Sequence, residues 1–294
     1  MDWKSKRIRA VLEAALVEDN AARDITTALT IDPRMRATGT VMARQNCVVA
    51  GLGSIPVFLD IFARMSPVPL GRFEVVSHPE IFDGVKVKTG QPLAVIRHKA
   101  CAILSCERVI LNLMQRMCGV ATMTREFVVA VKGTKAKILD TRKTIPGLRA
   151  LDKYAVSCGG GTNHRFDLGD GILIKNNHIT LGGGLPAVLE KAIEGRRSRL
   201  LVQVEVRSEA ELEQAIQGGA ESILLDNMTP AQAKRAVKQI RAALPEAPIE
   251  ASGGITLKNV RDYALAGVDY ISIGALTHSA PAANLNMRIT ADIS

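Results

Sequence analysis

Residues 200–227 read LLVQVEVRSEAELEQAIQGGAESILLDN, one complete strand–helix–strand unit in sequence. Leu200 to Val204 is an apolar strand-like run that continues into Glu205, and Ser222-Ile223-Leu224-Leu225 is a second that ends in Asp226-Asn227. Between them, Ser208 and Glu211 have the spacing of a capping box that opens a helical pattern to Gln217. A carboxylate among the valines of a buried strand is costly unless a ligand or partner uses it. Glu205 and Asp226 are therefore candidate functional residues.

The same unit repeats on both sides. Strand-like runs recur at Lys137–Leu139, Gly171–Ile174, Pro248–Ala251 and Tyr270–Ile273, with helical patterns at Leu185–Gly195, Thr229–Leu244 and Leu257–Ala266. Thr229-Pro230 is an N-cap followed by proline at the first helical position. Six strands alternating with helices imply parallel pairing through right-handed crossovers. Nearly every strand runs into chemically useful residues: Asp140-Thr141-Arg142-Lys143-Thr144, Lys175, Glu205, Asp226-Asn227, Ser252-Gly253-Gly254 and Ser272-Ile273-Gly274. Active sites of β/α barrels form at the C-terminal strand ends, with phosphate on the last loops. A dinucleotide-binding sheet would need a GxGxxG after its first strand, and there is none. The pattern predicts an α/β barrel.

Upstream the pattern changes. Arg7–Val17 reads as an amphipathic helix, and short alternating segments follow at Thr40–Arg44, Cys47–Ala50, Arg72–Ser77, Val85–Lys88 and Pro92–Arg97. Lys88 to Pro92 reads as a hairpin turn, and helical periodicity holds from Cys101 to Val131, where Met114 and Met117 read as core filling. The N-terminal half is thus a β-rich α+β domain.

Composition narrows the function. The chain has 294 residues, too many for one small module, and no uninterrupted apolar run long enough to span a bilayer. The five cysteines form no CxxC pair and no Cys/His spacing, which argues against zinc or a disulfide framework and for reduced thiols in the cytoplasm. Net charge is +9, but aromatics are only 3%, too few to stack single-stranded bases. Small anions, not nucleic acid or membrane, are the expected partners of the excess charge.

Each site candidate also has an ordinary reading. A single Arg or Lys at a strand end is usually solvated, and one glycine after a strand is often only a turn. His164 and His178 read equally as ligand contacts or as supports for one; His78, His98 and His278 have no supporting company. Arg196-Arg197-Ser198-Arg199 reads as a solvated loop at the inactive end of the barrel. Taken together, Arg142, Lys143, Arg165 and Lys175 beside Glu205, Asp226 and the glycine-rich last loops suit a substrate with carboxylates or phosphates plus a diol.

Glu107-Arg108 with Leu111-Asn112, then ILDTRKTIPGLRALDKYAV, CGGGTNHR and LIKNNHI resemble the quinolinate phosphoribosyltransferase family. The resemblance extends from Asp24-Ile25-Thr26-Thr27 through VVAGL to ASGGI and ISIGALTHS. It implies an incomplete α/β barrel (here 116–278) behind an N-terminal sandwich domain (1–115), with the tail 279–294 packing back on that domain. The activity implied is a decarboxylating transfer from phosphoribosyl pyrophosphate to quinolinate in NAD biosynthesis, in a homodimer with shared active sites. Carried over residue by residue, Arg108, Thr141, Arg142, Lys143, His164, Arg165 and Lys175 would hold the substrates. Glu205 and Asp226 would hold the ribose hydroxyls and Mg²⁺ through water. Ser252, Gly253, Gly254, Ser272, Ile273 and Gly274 would line the phosphate site, and Arg44 would come from the partner subunit. The family pattern would put Asp at Asn176, Gly at Arg23 and Ser at Cys118.

Overall fold

In the computed structural model, residues 1–196 and 200–292 are described, and they fall into two units. One comprises residues 1–123, 145–160 and 279 to the C-terminus; the other comprises 124–144 and 161–278. Of the run Arg196–Arg199, residues 197–199 lie outside the described residues. Arg196 itself is engaged, donating to the Leu200 carbonyl (3.1 Å) and to Glu221.

The first unit holds β1 (Arg36–Ala43), β2 (Cys47–Val48), β3 (Glu74–Val76), β4 (Lys86–Val87) and β5 (Pro92–Lys99). The C-terminal strand Leu285–Ala291 pairs antiparallel with β1, which pairs in turn with β5 and β5 with β3. Along β1, burial alternates with the two-residue period of a half-buried strand: Ala37, Gly39, Val41 and Ala43 face inward. Gly39 is required there, because a Cβ would lie 3.0 Å from Ile103 of the helix Ala100–Ala130 and 3.0 Å from Met287. Helix Ser54–Met65 covers this core with Ile55, Phe58, Leu59 and Phe62, all buried.

Two sequence expectations need correction here. The turn at Lys88–Gln91 exists, with Gly90 at φ +88° and the Gln91 amide on the Lys88 carbonyl. It is not a hairpin, since β4 pairs with β2 while β5 joins β1 and β3; a local turn signal does not say which sheet its flanks will enter. Helix Arg149–Cys158, placed by sequence within the barrel, belongs to the first unit. Its fully buried Asp152 takes a two-pronged bond from Arg116 (3.0 and 3.0 Å), and its Tyr154 hydroxyl donates to Asp83 (2.6 Å) and meets the Trp3 ring edge-on. These partners come from distant positions in the chain.

The second unit contains six parallel strands: β6 (Lys137–Leu139), β7 (Ile172–Ile174), β8 (Val202–Val206), β9 (Ser222–Asp226), β10 (Ile249–Ser252) and β11 (Tyr270–Ser272). Their order is β6-β11-β10-β9-β8-β7, so β6 and β7 form the two edges of an incomplete barrel. In β8 the valines 202, 204 and 206 are buried while Gln203 and Glu205 alternate with them. Register places Glu205 beside Leu224 and Leu224 beside Glu250, and two residues on along β9 and β10 it aligns Asp226, Ser252 and Ser272. The polar residues thus share the concave face, and the valines turn to the surrounding helices.

Candidate active site at the C-terminal strand ends

A cavity of about 290 Å³ opens where the six strands end. Arg142 and Lys143 enter it from the loop after β6, a loop braced by the Thr141 hydroxyl, which accepts the Lys143 amide (3.0 Å), and by Thr277, which donates to the Lys143 carbonyl (2.8 Å). His164 and Arg165 come from the segment beside β6, whose Thr162 bridges to Leu139. The His164 amide donates to Asp140, a fully buried carboxylate (2.8 Å), and Arg165 donates to the Gly171 carbonyl (2.9 Å).

Lys175 ends β7 and bonds Glu205 on β8 at 3.0 Å. Its amide donates to His178 Nδ1 (3.0 Å) at the start of helix Asn176–Gly182, so His178 is a support for that turn and does not line the cavity. Asp226 ends β9 and accepts from Asn227 (2.9 Å). Asn227 itself is in the left-handed region, and a Cβ on the following loop's Gly253 would fall 2.2 Å from its side chain. Glycine at 253 is therefore dictated by packing as well as by its φ of +92°.

The structure brings together Thr141, Arg142, Lys143, His164, Arg165, Lys175, Glu205, Asp226, Ser252 and Ser272 from the sequence-based set. Gly253, Gly254, Ile273 and Gly274 do not line this cavity. The Ile273 amide is committed to the Leu139 carbonyl (3.0 Å) and its side chain is buried. Gly274 packs against the Lys143 side chain, where a Cβ would come within 3.1 Å. Arg44 and Arg108 are exposed residues of the first unit. Sequence reasoning overlooked Glu250, a buried carboxylate in the cavity wall. Its signal was present, since Glu250 sits between Ile249 and Ala251 much as Glu205 sits among valines.

Electrostatically the cavity is unbalanced. Lys175 is paired with Glu205, but neither Arg142 nor Lys143 has an ion-pair partner among the described residues. The Arg142 Nε is buried and makes no hydrogen bond, an arrangement costing on the order of 1–3 kcal/mol unless an acceptor is supplied. Burial, and after it the charge of Arg142, hold the Arg165 guanidinium below its usual pKa, so two arginines face the same space. Such a site accepts a planar dianion: guanidinium forks match carboxylates geometrically.

Comparison with known proteins identifies the family. Residues 24–118 match the quinolinate phosphoribosyl transferase N-terminal domain and residues 120–288 its C-terminal domain. The chain is 41% identical over 280 residues to the carboxylating nicotinate-nucleotide pyrophosphorylase of Mycobacterium leprae, covering 95% of each, and 37% identical to the probable Bacillus subtilis counterpart, covering 97% and 94%. The crystal structure of NadC from Streptococcus pyogenes superposes with a TM-score of 0.89 at 34% identity, covering 100% of both chains. With both domains matched and the strand-end cations in one cavity, the chain belongs to the quinolinate phosphoribosyl transferase family.

Proposed function

We propose that the chain converts quinolinate and phosphoribosyl pyrophosphate to nicotinate mononucleotide, pyrophosphate and CO₂, with the roles distributed as follows. The observation that carries the assignment of roles is the pair Arg142 and Arg165: adjacent, like-charged, without carboxylate partners among the described residues, and in one cavity with Glu205 and Asp226. Two guanidiniums answer the two neighbouring carboxylates of quinolinate, and two carboxylates answer a ribose diol.

The C1–pyrophosphate bond breaks through an oxocarbenium-like transition state, as in glycosyl transfer generally. Positive charge grows on the ribose beside Glu205 and Asp226, while negative charge grows on the departing pyrophosphate, for which Lys143 and Lys175 are suitably signed. The pyridine nitrogen forms the new bond to C1 and becomes cationic. The bond to the adjacent carboxylate then breaks, CO₂ leaves, and its electron pair stays on the ring carbon next to N⁺ until a proton arrives. The substrate is its own electron sink, so no protein nucleophile takes part.

Glu205 and Asp226 also fit Mg²⁺: they are hard oxygen donors on neighbouring strands, suited to a cation that keeps waters and shares itself with substrate phosphates. Bound there, the ion supplies positive charge to the pyrophosphate. The five free thiols favour a cytoplasmic setting.

We assign Arg44 to the partner's site in a two-fold dimer; it is exposed, and its amide is anchored to the Asn284 carbonyl at 2.9 Å. When inactive Arg44→Ala and Lys175→Ala proteins exchange subunits, about half the dimers are mixed and each holds one intact site, so roughly a quarter of wild-type activity should return. Exchange verified by native mass spectrometry without recovery rules out the shared site. The reaction itself is tested by mixing the protein with Mg²⁺, phosphoribosyl pyrophosphate and quinolinate. Nicotinate mononucleotide and CO₂ should form together, and their absence from an active preparation overturns the assignment.

A further inference from the structure

His164, Arg165, Leu173 and Glu250 line two cavities at once: the mouth described above and an open groove of about 430 Å³ in the same unit, which reaches Gln203, Ser222 and Pro248. His164 and Glu250 therefore stand in the wall that the two cavities share. Glu250 is only 3% exposed, and no step of the reaction above uses it. Its Oε2 accepts from Gln203 Nε2 at 2.8 Å and lies 3.3 Å from His164 Nε2.

The other imidazole nitrogen fixes the proton. His164 Nδ1 accepts the Arg165 amide at 2.7 Å, and a backbone N–H can only donate. Nδ1 is therefore unprotonated, and the ring proton sits on Nε2, aimed at Glu250. Burial opposes a charge on Glu250, but hydrogen bonds from His164, Ser272 and Gln203 outweigh it and hold the carboxyl below its usual range. The carboxylate is the form that accepts this proton. The His164 backbone is held as well, by Asp140.

We infer that Glu250 is a positioning residue for the reaction, holding the His164 ring in place through its Nε2–H in the wall of the mouth. With both ring nitrogens engaged by protein, His164 offers the substrate the carbon edge and face of a fixed ring. The inference rests on the reading that quinolinate sits against His164.

The test is ¹⁵N NMR of histidine-labelled enzyme, which reports the tautomer, with the His164 signals identified by their loss in His164→Ala. Wild type should show the Nε2–H form with the Nε2 proton shifted far downfield by its carboxylate acceptor, and Glu250→Gln should lose that downfield shift. In the same variant, kcat/KM for quinolinate should fall about 10- to 100-fold, the scale on which partners that orient a functional histidine matter, while KM for phosphoribosyl pyrophosphate stays within twofold. An unchanged Nε2 proton shift, or quinolinate kinetics within twofold of wild type, overturns the inference. Should Glu250→Gln not fold, Glu250→Asp replaces it: the charge is kept but drawn back by one methylene, and a severalfold loss specific to quinolinate is expected. Unchanged kinetics there overturn the inference equally. A fully active His164→Ala would instead overturn the reading of the mouth, whereas an impaired His164→Ala beside a fully active Glu250→Gln sinks only the role of Glu250.

Discussion

The two ends of the parallel sheet carry the same kinds of residue and use them in opposite ways. At the N-terminal end a cavity of about 420 Å³ is lined by Lys135, Lys137, Arg241, Glu246 and Asp269, and it is larger than the roughly 290 Å³ mouth at the other end. There Lys135, Arg241 and Asp269 are closed on one another, while Lys137 and Glu246 are exposed and carry no ion pair among the described residues. Asp269 accepts from Lys135 (2.7 Å), from Arg241 and from the Ile249 amide (2.8 Å), and Arg241 also donates to the carbonyls of Pro245 and Ala247. Glu221 joins Arg196 to the Val202 amide in the same manner. At the C-terminal end, Arg142 and Lys143 have no such partners among the described residues, and Arg142 keeps a buried Nε without an acceptor. Volume does not distinguish a ligand site from a structural crevice here; a buried guanidinium nitrogen without an acceptor does.

The sharpest way to break this comparison is to offer the mouth a substrate with one carboxylate fewer. Nicotinate in place of quinolinate leaves a desolvated cation unpaired, at roughly 3–5 kcal/mol, so kcat/KM should fall by roughly 10²- to 10⁴-fold. Comparable values for the two acids would mean that the cations of the mouth are solvated bystanders. Next comes Arg142→Lys, which keeps charge but replaces a planar fork with a point charge; about a 100-fold loss in kcat/KM is expected. Near-normal kinetics in that variant would remove Arg142 from the substrate.

At the opposite end the effect should appear in stability alone. Asp269→Asn breaks the closed cluster and should cost on the order of 1–2 kcal/mol at neutral pH, measured by urea unfolding, with kcat/KM within twofold of wild type. The pH dependence follows from the carboxyl itself. Burial opposes its charge, but the bonds from Lys135, the Ile249 amide and Arg241 prevail and lower its pKa. Its stabilising contribution is therefore present above the unfolded-state pKa near 4 and lost as pH falls through the lower folded value. The gap between Asp269→Asn and wild type should narrow in acid. A tenfold loss of turnover in this variant would show that the two ends are not separate.

The smallest effect is expected away from both ends, at His98, which is fully buried in the first unit beside the Phe73 ring. Burial first, and the charge of Arg36 second, lower its pKa. The unfolded chain thus takes up this proton before the folded one does. Stability is unaffected above the unfolded value near 6.5 and declines as pH falls from there towards the folded value. His98→Phe should leave Tm unchanged at pH 8 and raise it by a few degrees at pH 5. An equal shift at both pH values would assign the change to packing.

Much of the mouth was legible because strand-end chemistry repeats in register with an obvious α/β period: Arg142, Lys175, Glu205 and Asp226 each follow an apolar run that announces its own strand. Glu250 was missed although its setting resembles that of Glu205. It lies one turn of the pleat below the strand end, at Ile249-Glu250-Ala251, where attention falls on the Ser252-Gly253-Gly254 loop that follows. His178 stood level with His164 in sequence, and only the fold separates them: one caps a helix, the other faces a buried carboxylate.

By itself the sequence determined the alternation of strands and helices, the polar residues at strand ends and the excess of cations, because hydrophobic periodicity and capping are local properties that a few adjacent residues encode. Tertiary structure alone decided which of those cations are neutralised, that helix Arg149–Cys158 packs with Arg116 and Asp83, and that Glu250 meets His164. Those outcomes depend on strand register and on the burial of groups distant along the chain. The free energy of a buried charge is set by whatever surrounds it in space, which no short window of sequence contains.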